Sequence, residues 1–235
     1  HAVSAFNNAG FALYSDSLMG FAADGWMLMP LNFAVIIGGL GFPVLFELGR
    51  RIIGRVKASQ IGGVIESALH WTLSTRLVLW STLVLLTFGT LYFAFIEWNN
   101  PATIGDMGFG EKLLNSFTQS VQPRTAGFNS VDLGQVYPAT LMGMDLLMFI
   151  GGGSASTAGG IKLTTAAVLI FIVWTEIRGE TAVNVGSRRL PRSIQRQALT
   201  IISLASLAVI TATILISITT DFTTDQIFFE VVSAF

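Results

Sequence analysis

The sequence predicts an all-α membrane protein built from repeated units, and three observations lead to that prediction. Apolar residues make up 52% of the 235-residue chain, whereas Asp, Glu, Lys and Arg together make up 11%. An ordinary soluble domain carries roughly a quarter charged residues. Apolar stretches long enough to cross a bilayer recur along the chain, and a short glycine-centred motif recurs between them.

Composition also excludes several classes of function. A formal net charge of -1 provides no electrostatic attraction for nucleic acid. The chain has no cysteine, which excludes disulfides, thiolate metal sites and cysteine nucleophiles. The two histidines, His1 and His70, are far apart in the sequence, which argues against a histidine metal site or a catalytic triad. We therefore expect no nucleic-acid partner, no enzymatic activity and no tightly bound cofactor.

Four apolar windows are candidates for membrane spans, which need about 20 residues each as helices. Three are uncharged and lie at 25–46, 77–96 and 197–220. The fourth, at 139–174, contains Asp145, Lys162 and a centre in which five of ten residues are glycine. Glycine costs about 1 kcal/mol relative to alanine inside a helix, so we expect an interruption there. A kink or a close contact between helices is the alternative.

The first window contains a second glycine-rich stretch, at 37–43, which carries no Ser, Thr or charged residue. Close packing between helices is therefore its expected role. Glu47 follows at the end of this window, and we expect it to pair with Arg50 or Arg51.

Charge placement predicts how the spans are oriented. Ten of the thirteen Lys and Arg residues fall in two connections: Arg50, Arg51, Arg55, Lys57 and Arg76, then Arg178, Arg188, Arg189, Arg192 and Arg196. Most acids fall in the opposite connections: Asp16, Asp24, Glu97, Asp106, Glu111, Asp132, Asp221 and Asp225. By the positive-inside rule the loops at 49–76 and 175–196 are cytoplasmic, and the acidic connections are external.

The external stretch from 99 to 138 contains an amphipathic run at 111–121, followed by Pro123. The run is too short to cross the bilayer. It is either a helix lying on the membrane surface or a re-entrant half-helix. The second alternative requires the irregular backbone that follows the half-helix to line a cavity or to be buried in protein, because such backbone is not tolerated in contact with lipid.

Internal repetition bears on this choice. Ala-Gly-Phe occurs at 9–11 and again at 126–128, and Val-Ser-Ala-Phe at 3–6 recurs at 232–235. Each interval contains a span, a basic loop, a second span and a short helix-like run. The repeated unit is therefore a span, a half-helix, an extended turn and a span.

This unit suits the chemistry of a dehydrated cation. Such an ion needs several oxygens at once, and backbone carbonyls supply them without adding charge. Directing successive carbonyls at one axis requires conformations that a β-carbon resists, which explains Gly10 and Gly127. We expect Phe11 and Phe128 to pack behind the two turns.

Three motifs resemble the Trk/Ktr/HKT superfamily of potassium transporters, most closely its KtrB-type membrane subunit. They are Ser-Ala-Phe-Asn-Asn-Ala-Gly-Phe at 4–11, Gln-Pro-Arg-Thr-Ala-Gly-Phe-Asn-Ser at 122–130 and Gly-Ser-Ala-Ser-Thr-Ala-Gly-Gly-Ile-Lys at 153–162. The resemblance covers essentially the whole chain. It implies four M1–P–M2 units (span, re-entrant pore helix with filter, span) around a central pore.

The resemblance also assigns ranges to these units. Residues 1–48 would end the second unit, 77–174 would form the third with its filter at 124–129, and 197–235 would begin the fourth. The chain would therefore start and stop inside pore helices and carry two of four filter segments.

Particular residues acquire roles through the same resemblance. The ion filter would comprise Asn8, Ala9, Gly10, Phe11, Thr125, Ala126, Gly127 and Phe128. K⁺ would bind the carbonyls of Asn8, Ala9, Gly10, Thr125, Ala126 and Gly127. An intramembrane gate loop at 151–160 would comprise Gly151, Gly152, Gly153, Ser154, Ala155, Ser156, Thr157, Ala158, Gly159 and Gly160, followed by Lys162.

Three charged residues lie in or near these segments. Arg124 is expected to brace the third filter by bonding to backbone carbonyls or an acid. Lys162 is either a snorkelling residue or a cation that repels ions or pairs with an acid. Asp145 is a functional candidate because it is a carboxylate inside a span, although the resemblance supplies no role for it.

The expected function is K⁺ uptake across the cell (inner or plasma) membrane by a multi-pass protein, with Na⁺ as a second bound or coupled ion. The alternative is a secondary transporter of an organic solute that uses broken helices at the bilayer midplane. The resemblance implies a homodimer, membrane lipid and a cytoplasmic nucleotide-binding ring of the KtrA/TrkA type as partners.

Overall fold

The structure, a computed structural model, describes residues 1–61, 71–179, 182–185 and 188–235. Its helices are α1 (Ala2–Phe6), α2 (Gly25–Leu40), α3 (Phe42–Ile61), α4 (Leu73–Glu97), α5 (Phe109–Val121), α6 (Pro138–Phe149), α7 (Leu163–Ile177), α8 (Arg192–Thr219) and α9 (Thr224–Ala234). Two strands, β1 (Asn184–Val185) and β2 (Arg188–Arg189), pair antiparallel. Parts of the predicted loops at 49–76 and 175–196, including His70, lie outside the described residues.

Among the described residues, two single helices, α4 and α8, are long and apolar enough to cross a membrane, and α2 with the first part of α3 makes a third span if that bent pair is counted as one. α4 and α8 match the predicted windows at 77–96 and 197–220. Only 11% of the apolar window of α8 is buried inside the described chain. An apolar helix surface of this kind is suited to contact with lipid or with other membrane helices.

The predicted span at 25–46 is not one straight helix, which corrects the sequence-based expectation. α2 and α3 meet at an angle of 103° at Gly41. Gly41 has a φ of +91°, and a β-carbon there would stand 2.4 Å from the Ser154 carbonyl oxygen. The backbone of the 151–160 loop occupies this position, so the chain must turn away from it.

The glycines just before this bend allow close packing, as expected, and they also contact a loop. A β-carbon at Gly38 would stand 1.9 Å from the carbonyl oxygen of Phe6, the last residue of α1. The Gly39 carbonyl accepts a hydrogen bond from the Gly153 backbone N–H at 2.7 Å. This stretch therefore packs against the end of α1 and against the loop at 151–160.

Glu47 lies close enough to Arg51 for their charges to attract, as predicted, and it has further partners that were not predicted. Its carboxylate accepts hydrogen bonds from the Thr72 backbone N–H (2.8 Å), the Thr72 hydroxyl (2.8 Å) and the Thr75 hydroxyl. Arg51 lies over the Trp71 ring, with its guanidinium carbon 4.0 Å from the ring centroid. The Glu47 carboxylate thus joins α3 to the start of α4 through hydrogen bonds to threonine.

The fourth apolar window is interrupted, as its glycines predict. α6 ends at Phe149 and α7 begins at Leu163. A parallel bridge between Ile150 and Ile161 closes the base of the intervening loop. The two ends of the loop are thus joined to each other by hydrogen bonds, between two short apolar helices.

The amphipathic run forms α5, whose first turn is capped by the Glu111 carboxylate, which accepts from the Gly108 backbone N–H at 2.9 Å. The C-terminal half of α5 is buried, and the helix packs against α4 and α2. A helix lying on a membrane surface would keep one face in contact with headgroups along its whole length. Burial of one end favours the re-entrant alternative.

A buried carboxylate joins the ends of α4 and α6. Glu97 is fully buried and accepts from Asn100 Nδ2 (2.6 Å), the Thr103 hydroxyl (2.8 Å), the Tyr137 backbone N–H (2.9 Å) and the Thr140 hydroxyl. Burying a carboxylate is costly unless its oxygens are hydrogen-bonded. These four donors satisfy it and connect the end of α4 with the start of α6.

Candidate functional site

The two glycine-centred segments lie side by side. Asn8 Nδ2 donates to the Arg124 carbonyl (3.4 Å) and to the Thr125 hydroxyl (3.3 Å). Further along, the Leu18 backbone N–H donates to the Asn129 carbonyl at 2.9 Å. The fold therefore brings together residues that are more than a hundred positions apart in the sequence.

Both segments share an unusual backbone pattern. φ is positive at Asn8 (51°) and Gly10 (70°), and again at Thr125 (79°) and Gly127 (83°). In each segment an alanine with ordinary φ separates the two positive-φ residues. Positive φ is strained for residues other than glycine, above all for a β-branched residue such as Thr125. The repeated sequence thus has a repeated, strained backbone.

The two segments line a cavity of about 480 Å³. It is lined by Asn8, Ala9, Gly10, Phe11, Pro123, Thr125, Ala126, Gly127, Met148, Gly159, Val232, Ser233, Ala234 and Phe235. None of these residues is charged, so the polar groups that they offer are carbonyls, hydroxyls and amides. Such a lining is suited to an ion that is held by neutral oxygens.

One helix end lies next to the cavity. α5 ends at Val121, just before one of the lining segments. The C-terminal end of a helix carries the equivalent of about half a negative charge, which favours a cation nearby.

The predicted packing of the two phenylalanines holds for one of them. Phe128 is 1% exposed and packs with Ala5, Leu18 and Leu28. Phe11 is 80% exposed and borders the cavity.

The loop at 151–160 contacts both α2 and the first segment. The Thr157 backbone N–H donates to the Gly38 carbonyl (3.4 Å), and the Thr157 hydroxyl donates to the Phe6 carbonyl (3.1 Å). The Gly160 backbone N–H donates to the Phe235 carbonyl at 3.3 Å. The loop thus connects the start of the first segment with the end of α9 beside the cavity.

The polar side chains of the loop differ in their partners. The Ser154 hydroxyl pairs with the Thr164 hydroxyl at 2.9 Å. The Ser156 hydroxyl oxygen is buried without a hydrogen-bond partner among the described residues. Lys162 donates to the Ala158 carbonyl at 2.5 Å. The Lys162 ammonium therefore contacts the loop backbone, and its role as a snorkelling residue or as a cation that repels ions or pairs with an acid stays a prediction.

Arg124 is 7% exposed, and its Nε has no hydrogen-bond partner within the described part of the chain. Its carbonyl, rather than its guanidinium, connects the segments by accepting from Asn8. The expected bracing through the side chain stays a prediction.

Sequence reasoning missed a polar cluster next to the segment at 124–129. Asn32 is fully buried in α2; its Nδ2 donates to the Thr118 hydroxyl (2.8 Å), and its Oδ1 accepts from Gln122 Nε2 (2.7 Å). This cluster fixes the end of α5 against α2. The available signal was an asparagine in an apolar span, where side-chain amides commonly join helices.

Asp145 lies in a different place from the segments. It lines a mainly apolar cavity of about 620 Å³ between α6, α8 and α9, together with Asp225. Its Oδ1 is buried without a hydrogen-bond partner among the described residues.

Comparison with known proteins identifies the family. A family model described as TrkH, cation transport protein, matches residues 1–235. The chain belongs to the TrkH family. It is 40% identical to the Ktr system potassium uptake protein B of Bacillus subtilis (strain 168), covering 100% of this chain and 50% of that protein. The corresponding protein of Vibrio alginolyticus is 39% identical, with 100% and 49% covered.

Solved structures agree at the level of the fold. The TrkH-family chain superposes on the crystal structure of the potassium transporter TrkH from Vibrio parahaemolyticus with a TM-score of 0.68 and 18% identity. The match covers 90% of this chain and 43% of that chain. The chain spans about half the length of the relatives it matches. It is a mainly helical membrane protein, as the composition predicted.

Proposed function

We propose that the protein takes up K⁺ through a pore in which the Asn8–Gly10 and Thr125–Gly127 carbonyls are part of the selectivity filter. The observation that carries this proposal is the pairing of two strained, glycine-centred segments along one uncharged 480 Å³ cavity. Carbonyl oxygens replace the hydration shell of a monovalent cation. The names of the relatives, which are potassium uptake proteins, support the same ion.

The proposed architecture is the repeated M1–P–M2 unit around a central pore. Residues 1–48 end one unit, 77–174 form a whole unit, and 197–235 begin the next. In support, α1 and α5 each end just before a glycine-centred segment that lines the cavity, and α9 reaches the same cavity. The basic connections at 49–76 and 175–196 would face the cytoplasm in a multi-pass protein of the cell membrane.

The loop at 151–160 is proposed as the gate. Gly159 shares the cavity with both segments, and the loop is held there by a few backbone hydrogen bonds. Displacing it would widen the cavity on that side. Because each segment has one glycine in its Ala-Gly-Phe motif, we expect a short coordinating stretch and incomplete discrimination against Na⁺.

Growth of K⁺-uptake-deficient cells at low external K⁺ tests the function. The full-length protein should restore growth, and Gly127→Asp should abolish it, because an ionic side chain and a strained backbone then replace the glycine of the filter. Gly110→Asp is the matched control, since Gly110 lies in the first turn of α5 with open space around it. Normal growth with Gly127→Asp at equal protein level would contradict the filter assignment.

Uptake of an organic solute is less well supported. That function needs polar side chains converging from several spans. The 620 Å³ cavity offers two carboxylates, Asp145 and Asp225, in a mainly apolar lining. Uptake of an organic solute without any K⁺ or Na⁺ flux would favour that alternative.

The proposed partners are a second copy of the protein, membrane lipid and a cytoplasmic nucleotide-binding ring. The relatives are named as parts of a Ktr system, which implies a multi-component assembly. The basic residues at 188–192 lie in a connection that would face such a ring. Unchanged co-purification of the ring after neutralising Arg188, Arg189 and Arg192 would count against docking through this loop.

A further inference from the structure

One side chain joins three parts of the site that are distant in sequence. Asn8 Oδ1 accepts a hydrogen bond from the Thr157 hydroxyl of the loop at 3.2 Å. Asn8 Nδ2 donates to the Arg124 carbonyl and to the Thr125 hydroxyl. The amide therefore contacts the loop through its acceptor and the third-unit segment through its donor, while its backbone belongs to the other segment.

The surroundings of Asn8 fix this amide in place. The residue is 8% exposed, and a β-carbon at Gly38 would stand 2.9 Å from Asn8 Oδ1. Its φ of 51° is a left-handed conformation that asparagine tolerates better than most residues. The side chain cannot turn elsewhere unless the loop or α2 moves.

Thr157 is the point at which loop motion would reach Asn8. The Thr157 hydroxyl lies 3.1 Å from the Phe6 carbonyl oxygen and 3.2 Å from Asn8 Oδ1. A displacement of the loop breaks both contacts together. A buried amide oxygen then lacks a donor, which is unfavourable, so the amide reorients or the segment shifts.

The two hydrogen bonds that Asn8 Nδ2 donates are long, so a small shift of the amide can break them. The bonds from Nδ2 to the Arg124 carbonyl and the Thr125 hydroxyl measure 3.4 and 3.3 Å, longer than typical N–H···O distances. Thr125 holds a strained φ of 79°. A small movement of the amide therefore changes the two hydrogen bonds by which Asn8 restrains the segment at 124–129.

We propose that Asn8 is a positioning residue that couples the loop to both segments, so that loop displacement changes ion selectivity together with flux. This inference rests on the proposed function, because it presupposes that the segments select the ion and that the loop gates it. It assigns to Asn8 a side-chain role that is separate from the ion contact of its carbonyl.

The test measures K⁺ and Na⁺ uptake by the full-length protein in proteoliposomes. Thr157→Val removes the donor to Asn8 and should change the K⁺/Na⁺ uptake ratio about fivefold, the factor expected for one net hydrogen bond. Thr157→Ala should do the same with less bulk. Thr157→Ser keeps the hydroxyl and should retain the original ratio.

A double-mutant cycle tests the coupling itself. Thr125→Val removes the acceptor hydroxyl on the other side of the amide and should also change the ratio. Because one amide makes both contacts, the double variant should change the ratio by less than the product of the single effects. Independent, multiplying effects would overturn the coupling.

A control in the same loop separates this inference from the proposed function. The Ser154 hydroxyl pairs with that of Thr164 rather than with Asn8, so Ser154→Ala should alter flux while the K⁺/Na⁺ ratio stays unchanged. If Thr157→Val changes flux but leaves the ratio unchanged, coupling through Asn8 is wrong and gating stands. If the unaltered protein carries no K⁺, both proposals fall.

Discussion

Gly10 lies directly against the carbonyl of Ala126: a β-carbon added to Gly10 would stand 2.0 Å from the Ala126 carbonyl oxygen. The same addition at Gly127 would meet nothing within 4 Å, although φ there is +83°. The two glycines occupy matching positions of the repeat, yet space is restricted at one of them. This asymmetry distinguishes the two segments experimentally.

Alanine at Gly10 should therefore be far more damaging than alanine at Gly127. Gly10→Ala combines a left-handed backbone with a clash against backbone atoms, which cannot move aside as a flexible side chain would. Gly127→Ala incurs the conformational strain alone, about 1–2 kcal/mol. K⁺ uptake at matched protein level should be lost in the first variant and reduced in the second. Equal uptake by the two variants would contradict the packing of the segments.

Gly41 should be essential for the bend between α2 and α3. Gly41→Ala places a β-carbon 2.4 Å from the Ser154 carbonyl oxygen and disfavours a φ of +91°, so either the bend or the loop must shift. We expect a lower melting temperature in detergent and altered uptake. Gly49→Ala is the control: it lies inside α3 with nothing within 4 Å, and should stabilise by up to about 1 kcal/mol.

Replacement of Glu97 should destabilise the protein without touching the cavity. Glu97→Gln places an amide N–H₂ where both carboxylate oxygens accept hydrogen bonds, so at least one buried donor loses its acceptor. The expected cost is about 1–3 kcal/mol, measured by thermal unfolding in detergent. Asp106→Asn, at an exposed external acid, should leave the melting temperature unchanged. An unchanged melting temperature for Glu97→Gln would argue against this network.

Asn32 should stabilise the end of α5 through Thr118. Asn32→Ala removes two buried hydrogen bonds and should cost about 2 kcal/mol. Thr118→Val should cost less, and the two effects should be non-additive because they share one bond. Asp145→Asn is a useful comparison, since Asp145 Oδ1 has no hydrogen-bond partner to lose among the residues that the structure describes. Strict additivity of Asn32→Ala and Thr118→Val would contradict the contact.

Many of the local features were predictable from the sequence. The apolar windows that became α4 and α8, the interruption at 151–160 and the short helix before Pro123 all follow from composition and spacing over a few residues. The repeated Ala-Gly-Phe motif indicated where the strained segments lie. These features depend on local backbone preference and on apolar burial, and both are determined by residues that are close together in the sequence.

The contacts of the site were not predictable in the same way. The bend at Gly41 depends on the Ser154 carbonyl, and Glu47 accepts hydrogen bonds from two threonines that lie beyond a loop, in addition to its attraction to Arg51. A glycine-rich stretch is compatible with close packing, a kink or a loop. The choice depends on which backbone atoms approach it from elsewhere in the chain.

The sequence by itself determined the membrane class, the family and the positions of two glycine-centred segments, because sparse charge, long apolar windows and a repeated motif are properties of the linear chain. Only the tertiary structure decided that Asn8 connects Thr157 with Thr125. An asparagine can donate and accept wherever it is placed, and its partners are set by how distant backbone segments pack around it.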